Sequence, residues 1–153
     1  MMPDQRFALL KPLAAGALPV VGTIFTHALA VLATVGFIRR EKRLGRAGMS
    51  TWNDLLIVML TMSFTLAAHL IEIAWWAILF IFCGEFHEFG IAYYHSAVNY
   101  TTLGYGDLLM TPAWRLLGPL EAANGMLMFG VSTALIFAVM QRLVQTRFVD
   151  LRD

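Results

Sequence analysis

The run Thr101-Thr102-Leu103-Gly104-Tyr105-Gly106-Asp107 places two glycines one residue apart, behind a pair of threonines and ahead of an acid. A dehydrated cation needs a ring of oxygens in place of its water, and backbone carbonyls can form one only from a strand that turns them all to one side. Gly104 and Gly106 take positive φ without steric cost. Residues alternating in hand would then aim successive carbonyls at one axis, with the Thr102 hydroxyl as a further ligand. The expected chemistry is coordination of a bare cation by peptide oxygens. Thr102, Leu103, Gly104, Tyr105 and Gly106 are its candidate ion-binding positions, and Asp107 stands at the mouth. Gly-Tyr-Gly also occurs in ordinary turns, so the surrounding elements decide its meaning.

Those surroundings are apolar. Of 153 residues, 59% are hydrophobic and 14% charged, with mean hydropathy +0.69, which points to an integral membrane protein with room for one membrane domain. The expected fold is all-α with three transmembrane helices. Residues 18–38 make a first span of ~30 Å. Residues 55–82 exceed the hydrocarbon core and imply tilt or protrusion, and 116–140 make a third span. Between the last two, 85–114 is too polar and too rich in Gly and Pro to cross, yet holds an apolar-aromatic run over 91–100. A half-membrane helix over 91–101 followed by a re-entrant loop fits, because irregular backbone at that depth persists only where protein buries it or water lines it. The expected units are 1–50 (outer amino-terminal segment, first helix and basic loop), a pore domain over 51–142, and a short tail over 143–153.

Charge placement orients this plan. Arg39, Arg40, Lys42, Arg43 and Arg46 follow the first span and Arg142, Arg147 and Arg152 follow the third, so eight of the 11 Lys and Arg share one side. That side is expected to be cytoplasmic, with the amino terminus and the glycine loop facing outward and the chain multi-pass in the cell membrane. The stretch from Arg39 to Arg46 suits anionic lipid head groups as well; no nucleic-acid partner is expected. The basic cluster follows the first apolar stretch, the reverse of secretory polarity, so that stretch is expected to stay as a helix.

The segment from Thr101 to Asp107 resembles the potassium channel signature Thr-Val-Gly-Tyr-Gly-Asp, without a gap and with Leu103 in place of Val. The resemblance continues through Trp114-Arg115 in the outer loop and through Phe129-Gly130-Val131-Ser132-Thr133-Ala134, similar to the inner helix of simple bacterial channels. It covers residues 93–142. It implies a two-helix pore domain with one extra amino-terminal helix, assembled as a homotetramer with three further copies of the chain. It also implies K+ as the bound and permeant ion, no other cofactor and no enzymatic activity. By the same resemblance Thr101, Tyr94, His95 and Asn99 support the filter. Tyr94 and His95 stand where many relatives carry an aromatic pair, which points to a weaker cuff. Gly125, and secondarily Gly130, are candidate hinge positions in the inner helix. The first span lacks the Arg ladder of a voltage sensor.

Three ionisable side chains fall within the spans. His69 and Glu72 share a helix face by their i,i+3 spacing, and Glu121 lies early in the third span. Together with Asn99 they form a candidate buried polar network, read first as a clamp between helices and second as a proton-sensitive element. His27 is read as a helix contact. Cys83, Glu85, His87 and Glu88 are read as a solvated loop, and no metal-coordinating side chains are assigned. The leading function is passive K+ conduction. The alternatives are a weakly selective monovalent cation channel and, from another class, a membrane enzyme or accessory subunit using His69 and Glu72.

Overall fold

The computed structural model describes residues 3–46 and 50–149, with side chains described over 10–46 and 50–146. Among the described residues there are four helices and no strand: α1 (Pro3–Arg43), α2 (Thr51–Phe82), α3 (Phe89–Tyr100) and α4 (Leu117–Val149). Within them Leu10–Arg43, Thr51–Phe82 and Leu117–Thr146 are long and apolar enough to cross a membrane. The chain is a multi-pass membrane protein.

All three long helices outrun their hydropathy limits. α1 reaches back from residue 18 to Pro3 and passes through Pro12 and Pro19. Each proline removes an amide donor and frees the carbonyl four residues earlier, a loss that neighbouring helices can absorb in a membrane. The support here is packing. Pro12 is fully buried, and a Cβ on Gly16 would lie 2.5 Å from Leu120 Cδ2 and 3.2 Å from Leu117 Cδ2. The first half of α1 therefore seats on the start of α4, a contact that a hydropathy window does not register. At the same end Lys11 Nζ sits 4.6 Å over the Trp114 ring.

α2 opens on Ser50, whose side chain accepts from the Trp52 amide at 3.3 Å, a serine N-cap. Its buried residues recur every three or four positions: Ile57, Thr61, Thr65, Ala68, Glu72, Trp76 and Phe80. One stripe therefore faces protein while the remainder is left for lipid or other chains. Thr61 is compatible with that stripe because its hydroxyl donates to the Ile57 carbonyl at 2.8 Å, which satisfies it locally.

Cross-helix contacts set the directions. Gly16, Thr23 and His27 of α1 meet Leu120, Asn124 and Ser132 of α4 in the same order, so these two helices run parallel. α2 runs against both, with Trp76 on Asn124 and His69 on Ser132. The basic ends of α1 and α4 consequently lie at one end of the bundle, beside a small core of Ile57, Val139 and Leu143. At the opposite end a larger core of Trp76, Phe80, Ala92, Tyr100 and Leu117 holds α3 between α2 and α4. α4 continues to Val149, past the expected end at 140 and into the segment expected as a tail. Arg152 lies outside the described residues.

Candidate functional site

α3 is 12 residues long, ~18 Å of helix. It buries Ala92, His95, Ser96, Val98 and Tyr100 and ends on Thr101, whose hydroxyl donates to the Ala97 carbonyl at 2.7 Å. The backbone then changes hand. Thr102, Gly104 and Gly106 have φ of 61°, 62° and 73°, with positive φ at every second residue. Two of the three are glycines, for which this conformation carries no steric penalty. Thr102 is β-branched, and positive φ there is strained backbone of the kind that collects at functional positions.

The hydrogen bonds show what this conformation achieves. The Thr102 amide donates to the Asn99 carbonyl at 2.9 Å, and the Leu103 and Gly104 amides donate to the Val98 carbonyl at 2.9 and 3.2 Å. These donors are turned back onto the end of α3. Among the described residues no hydrogen bond uses a carbonyl of residues 102–106. Leu103 and Tyr105 are 55% and 67% exposed. The loop offers a row of unclaimed carbonyl oxygens on a segment anchored by its first three amides.

Supports surround it. The Tyr94 hydroxyl donates to Asp107 Oδ2 at 2.8 Å, spanning the loop from the side of α3. His95 Nε2 lies 2.9 Å from Asn99 Nδ2, and its ring packs on Phe80 and Phe86 at centroid distances of 5.4 and 4.8 Å. Glu85 accepts from the Thr111 amide at 2.7 Å and from its hydroxyl at 2.6 Å, fixing the descending arm of the loop. That leaves little of Glu85 for the outer cluster with Cys83, His87 and Glu88. Burial, then the Glu85 carboxylate, hold the Cys83 thiol above its ordinary pKa, which disfavours the thiolate. A cavity of about 590 Å³ lies against the loop, lined among others by Asn99, Thr102, Gly104, Gly106 and Arg115.

The buried ionisable residues divide into two sets, where the sequence grouped them as one. Ser96 and Tyr100 lie one turn apart on α3 and each takes a different carboxylate. Ser96 Oγ lies 2.5 Å from Glu121 Oε1, while the Tyr100 hydroxyl donates to Glu72 Oε2. Asn99 pairs with His95 rather than with Glu72. The reason is helical: adjacent in sequence, Asn99 and Tyr100 point about 100° apart around α3, while the i,i+3 spacing from Ser96 keeps Asn99 on the α4 side, beside Gly118.

The Glu72 set is larger than its i,i+3 pair. His69 Nδ1 lies 3.1 Å from Glu72 Oε2 and 3.0 Å from the Tyr100 oxygen. His27 Nδ1, from α1, lies 2.8 Å from Glu72 Oε1. Ser132 Oγ, from α4, lies 2.9 Å from His69 Nε2 and 3.2 Å from His27 Nε2. Three helices thus meet on one carboxylate, α4 joins them through Ser132 on the two rings, and Tyr100 lies just ahead of Thr101 and the loop. Sequence spacing does not reveal partners 45 and 60 residues from Glu72. The available signal was the presence of polar residues inside apolar spans, His27 in the first, His69 and Glu72 in the second and Ser132 in the third.

Gly125 lies against Tyr100, where an added Cβ would run into the Tyr100 carbonyl oxygen, whereas Gly130 has open space. Gly125 therefore serves close approach of α4 to the end of α3, and α4 is continuous through it. Thr133 is exposed and bonds back to the Phe129 carbonyl at 2.9 Å.

Residues 68–142 match the model of a protein family described as Ion channel. No curated protein and no solved structure matches the chain. The match takes in the carboxyl-terminal part of α2 from residue 68, all of α3, the loop and most of α4, and leaves α1 outside it.

Proposed function

Through residues 68–142 this chain belongs to an ion-channel family, and on that premise we propose that it is the subunit of a potassium-selective channel that conducts passively through the loop 102–106. The observation that carries this reading is the positive φ at Thr102, Gly104 and Gly106, with the loop amides tied back and the carbonyls unclaimed. Such a strand presents its carbonyl oxygens as replacements for an ion's hydration shell.

One strand cannot encircle an ion. Closure needs copies related by rotation, and the resemblance to potassium channels implies four. In that assembly α3 is the pore helix, entering the membrane partway and returning as the filter, with α2 as outer helix and α4 as inner helix. The carboxyl end of α3 carries the negative end of its dipole and favours a cation beneath the filter. The basic ends of α1 and α4 face the cytoplasm and the loop faces outward. Ions pass between adjacent carbonyl sites down their electrochemical gradient, and no covalent step is involved.

The test is K+ flux and single-channel recording from the purified protein in liposomes. A K+-selective reversal potential, block by barium and a fourfold stoichiometry are expected. A monomeric particle, or no cation flux at all, overturns the proposal. Leu103 in place of Val and the Tyr94-His95 pair favour a second reading, a weakly selective monovalent cation channel. Reversal potentials in mixed K+ and Na+ separate the two. A membrane enzyme using His69 and Glu72 would be preferred only if Glu72→Ala abolished activity while Gly104→Ala left it intact.

A further inference from the structure

Glu72 is fully buried at the meeting point of four helices, and a carboxylate in such a place is stable only beside positive charge. The two histidines approach it in the same sense. His27 and His69 both turn Nδ1 to the carboxylate, at 2.8 and 3.1 Å, and both turn Nε2 to the Ser132 hydroxyl, at 3.2 and 2.9 Å.

A serine hydroxyl has one proton and two lone pairs. Were both rings protonated at Nδ1 alone, two bare Nε2 atoms would compete for the single Ser132 proton. With both rings protonated at Nε2, both donate to Ser132, and two Nδ1 lone pairs converge on the carboxylate. Two arrangements satisfy every atom: one ring doubly protonated beside a ring protonated at Nδ1, or a metal cation seated between the two Nδ1 lone pairs and the anion. One donor atom from each of His27, His69 and Glu72 lies within 4.8 Å of the others. The Tyr100 oxygen stands 3.0 Å from His69 Nδ1.

We propose that this cluster is a binding site for a divalent transition-metal ion of the zinc class. Its ligands are His27 Nδ1, His69 Nδ1, the Glu72 carboxylate and the Tyr100 oxygen. Two imidazoles with two oxygens suit Zn2+ or Co2+ and not Mg2+ or Ca2+, which take oxygen ligands throughout. Binding of the ion displaces the Tyr100 proton to solvent, and Tyr100 as phenolate joins Glu72 in balancing the ion's two positive charges, so the buried site is neutral. Ser132 holds both rings by their outer N–H groups, the role that outer partners play at metal centres. The ion pins α1 to α2 and to the last residue of α3, directly before Thr101. This assignment stands apart from the conduction reading, because it rests on side chains behind the loop and its test measures metal rather than flux.

The full-length protein in detergent is stripped with a chelator, exposed to Zn2+ or Co2+, freed of excess ion and assayed for metal content and for the visible absorption of four-coordinate Co2+. One ion per chain and the Co2+ bands are expected. His27→Gln and His69→Gln should each lower the content at least tenfold, while His87→Gln, in the outer loop, should leave it unchanged. Ser132→Ala removes only a hydroxyl and should weaken binding by about tenfold, which reads the site even where a histidine variant fails to fold. A wild-type protein that takes up no ion, or uptake indifferent to Ser132→Ala, overturns the assignment and leaves a cluster held by protons. Loss of uptake in His87→Gln overturns it in favour of a surface site.

Discussion

The loop at 102–106 and the cluster around Glu72 lie on either side of Tyr100 and treat their polar groups in opposite ways. In the cluster every hydrogen-bonding partner comes from within the chain, drawn from four helices and buried. In the loop the Thr102, Leu103 and Gly104 amides are satisfied and the carbonyls are not, while Leu103 and Tyr105 stand exposed. One region finds its side-chain partners within a single copy; the other leaves its carbonyls open to groups outside the chain. The difference separates structure from proposed function here: the buried cluster sets how α1 and α3 sit, and the open loop is where conduction is proposed.

The contrast can be broken most severely at the loop. Gly104 has φ of 62°, and placing a side chain at left-handed φ costs about 1–2 kcal/mol per residue, repeated in each copy of an assembly. Gly104→Ala is expected to reduce K+ flux in liposomes to background while leaving the detergent-purified assembly intact on size analysis. Undiminished flux would mean that ions do not use this loop.

In the cluster the expected loss is of stability. Glu72→Gln removes the shared anion from between two histidines and a tyrosine and should cost about 3–5 kcal/mol, read as a lowered unfolding midpoint in detergent. Glu121→Gln should cost about 1 kcal/mol, because the Ser96 hydroxyl is its hydrogen-bonding partner. Equal effects would restore the single network that the sequence suggested.

At the join of the two regions, Gly125→Ala drives a methyl into the Tyr100 carbonyl and should cost about 1–3 kcal/mol as an overpacked contact. Gly130→Ala, facing open space, should stay within about 0.5 kcal/mol. A Gly125→Ala protein of unchanged stability but altered opening would make Gly125 a hinge instead. The smallest effect belongs to Tyr94→Phe, which removes one exposed bond to Asp107. It should lower the K+ over Na+ permeability ratio by no more than about tenfold, the equivalent of about 1.4 kcal/mol.

Much of this was legible in the residues. The existence of the three long helices and the short one follows from apolar length and from the break over 85–114, and the family match falls on the segment that carries the glycine motif. Left-handed backbone at Gly104 and Gly106 was readable because glycine favours it; at Thr102 it was not, since the residue type argues against it. Helix ends were misjudged wherever packing extended a helix past its apolar run, as at Pro12 and Gly16. The outer glutamate illustrates a further gap: Glu85 in sequence belongs to a solvated loop, and in space it clamps Thr111.

The sequence by itself determined that the chain crosses a membrane with three helices and carries a glycine loop able to turn carbonyls one way, because hydropathy and backbone freedom are properties of residues taken locally. Only the tertiary structure decided that His27, His69, Glu72, Tyr100 and Ser132 meet, and that Gly125 serves contact with Tyr100. Those are facts about helix rotation and approach across 45 to 105 positions of chain, and no local spacing encodes them.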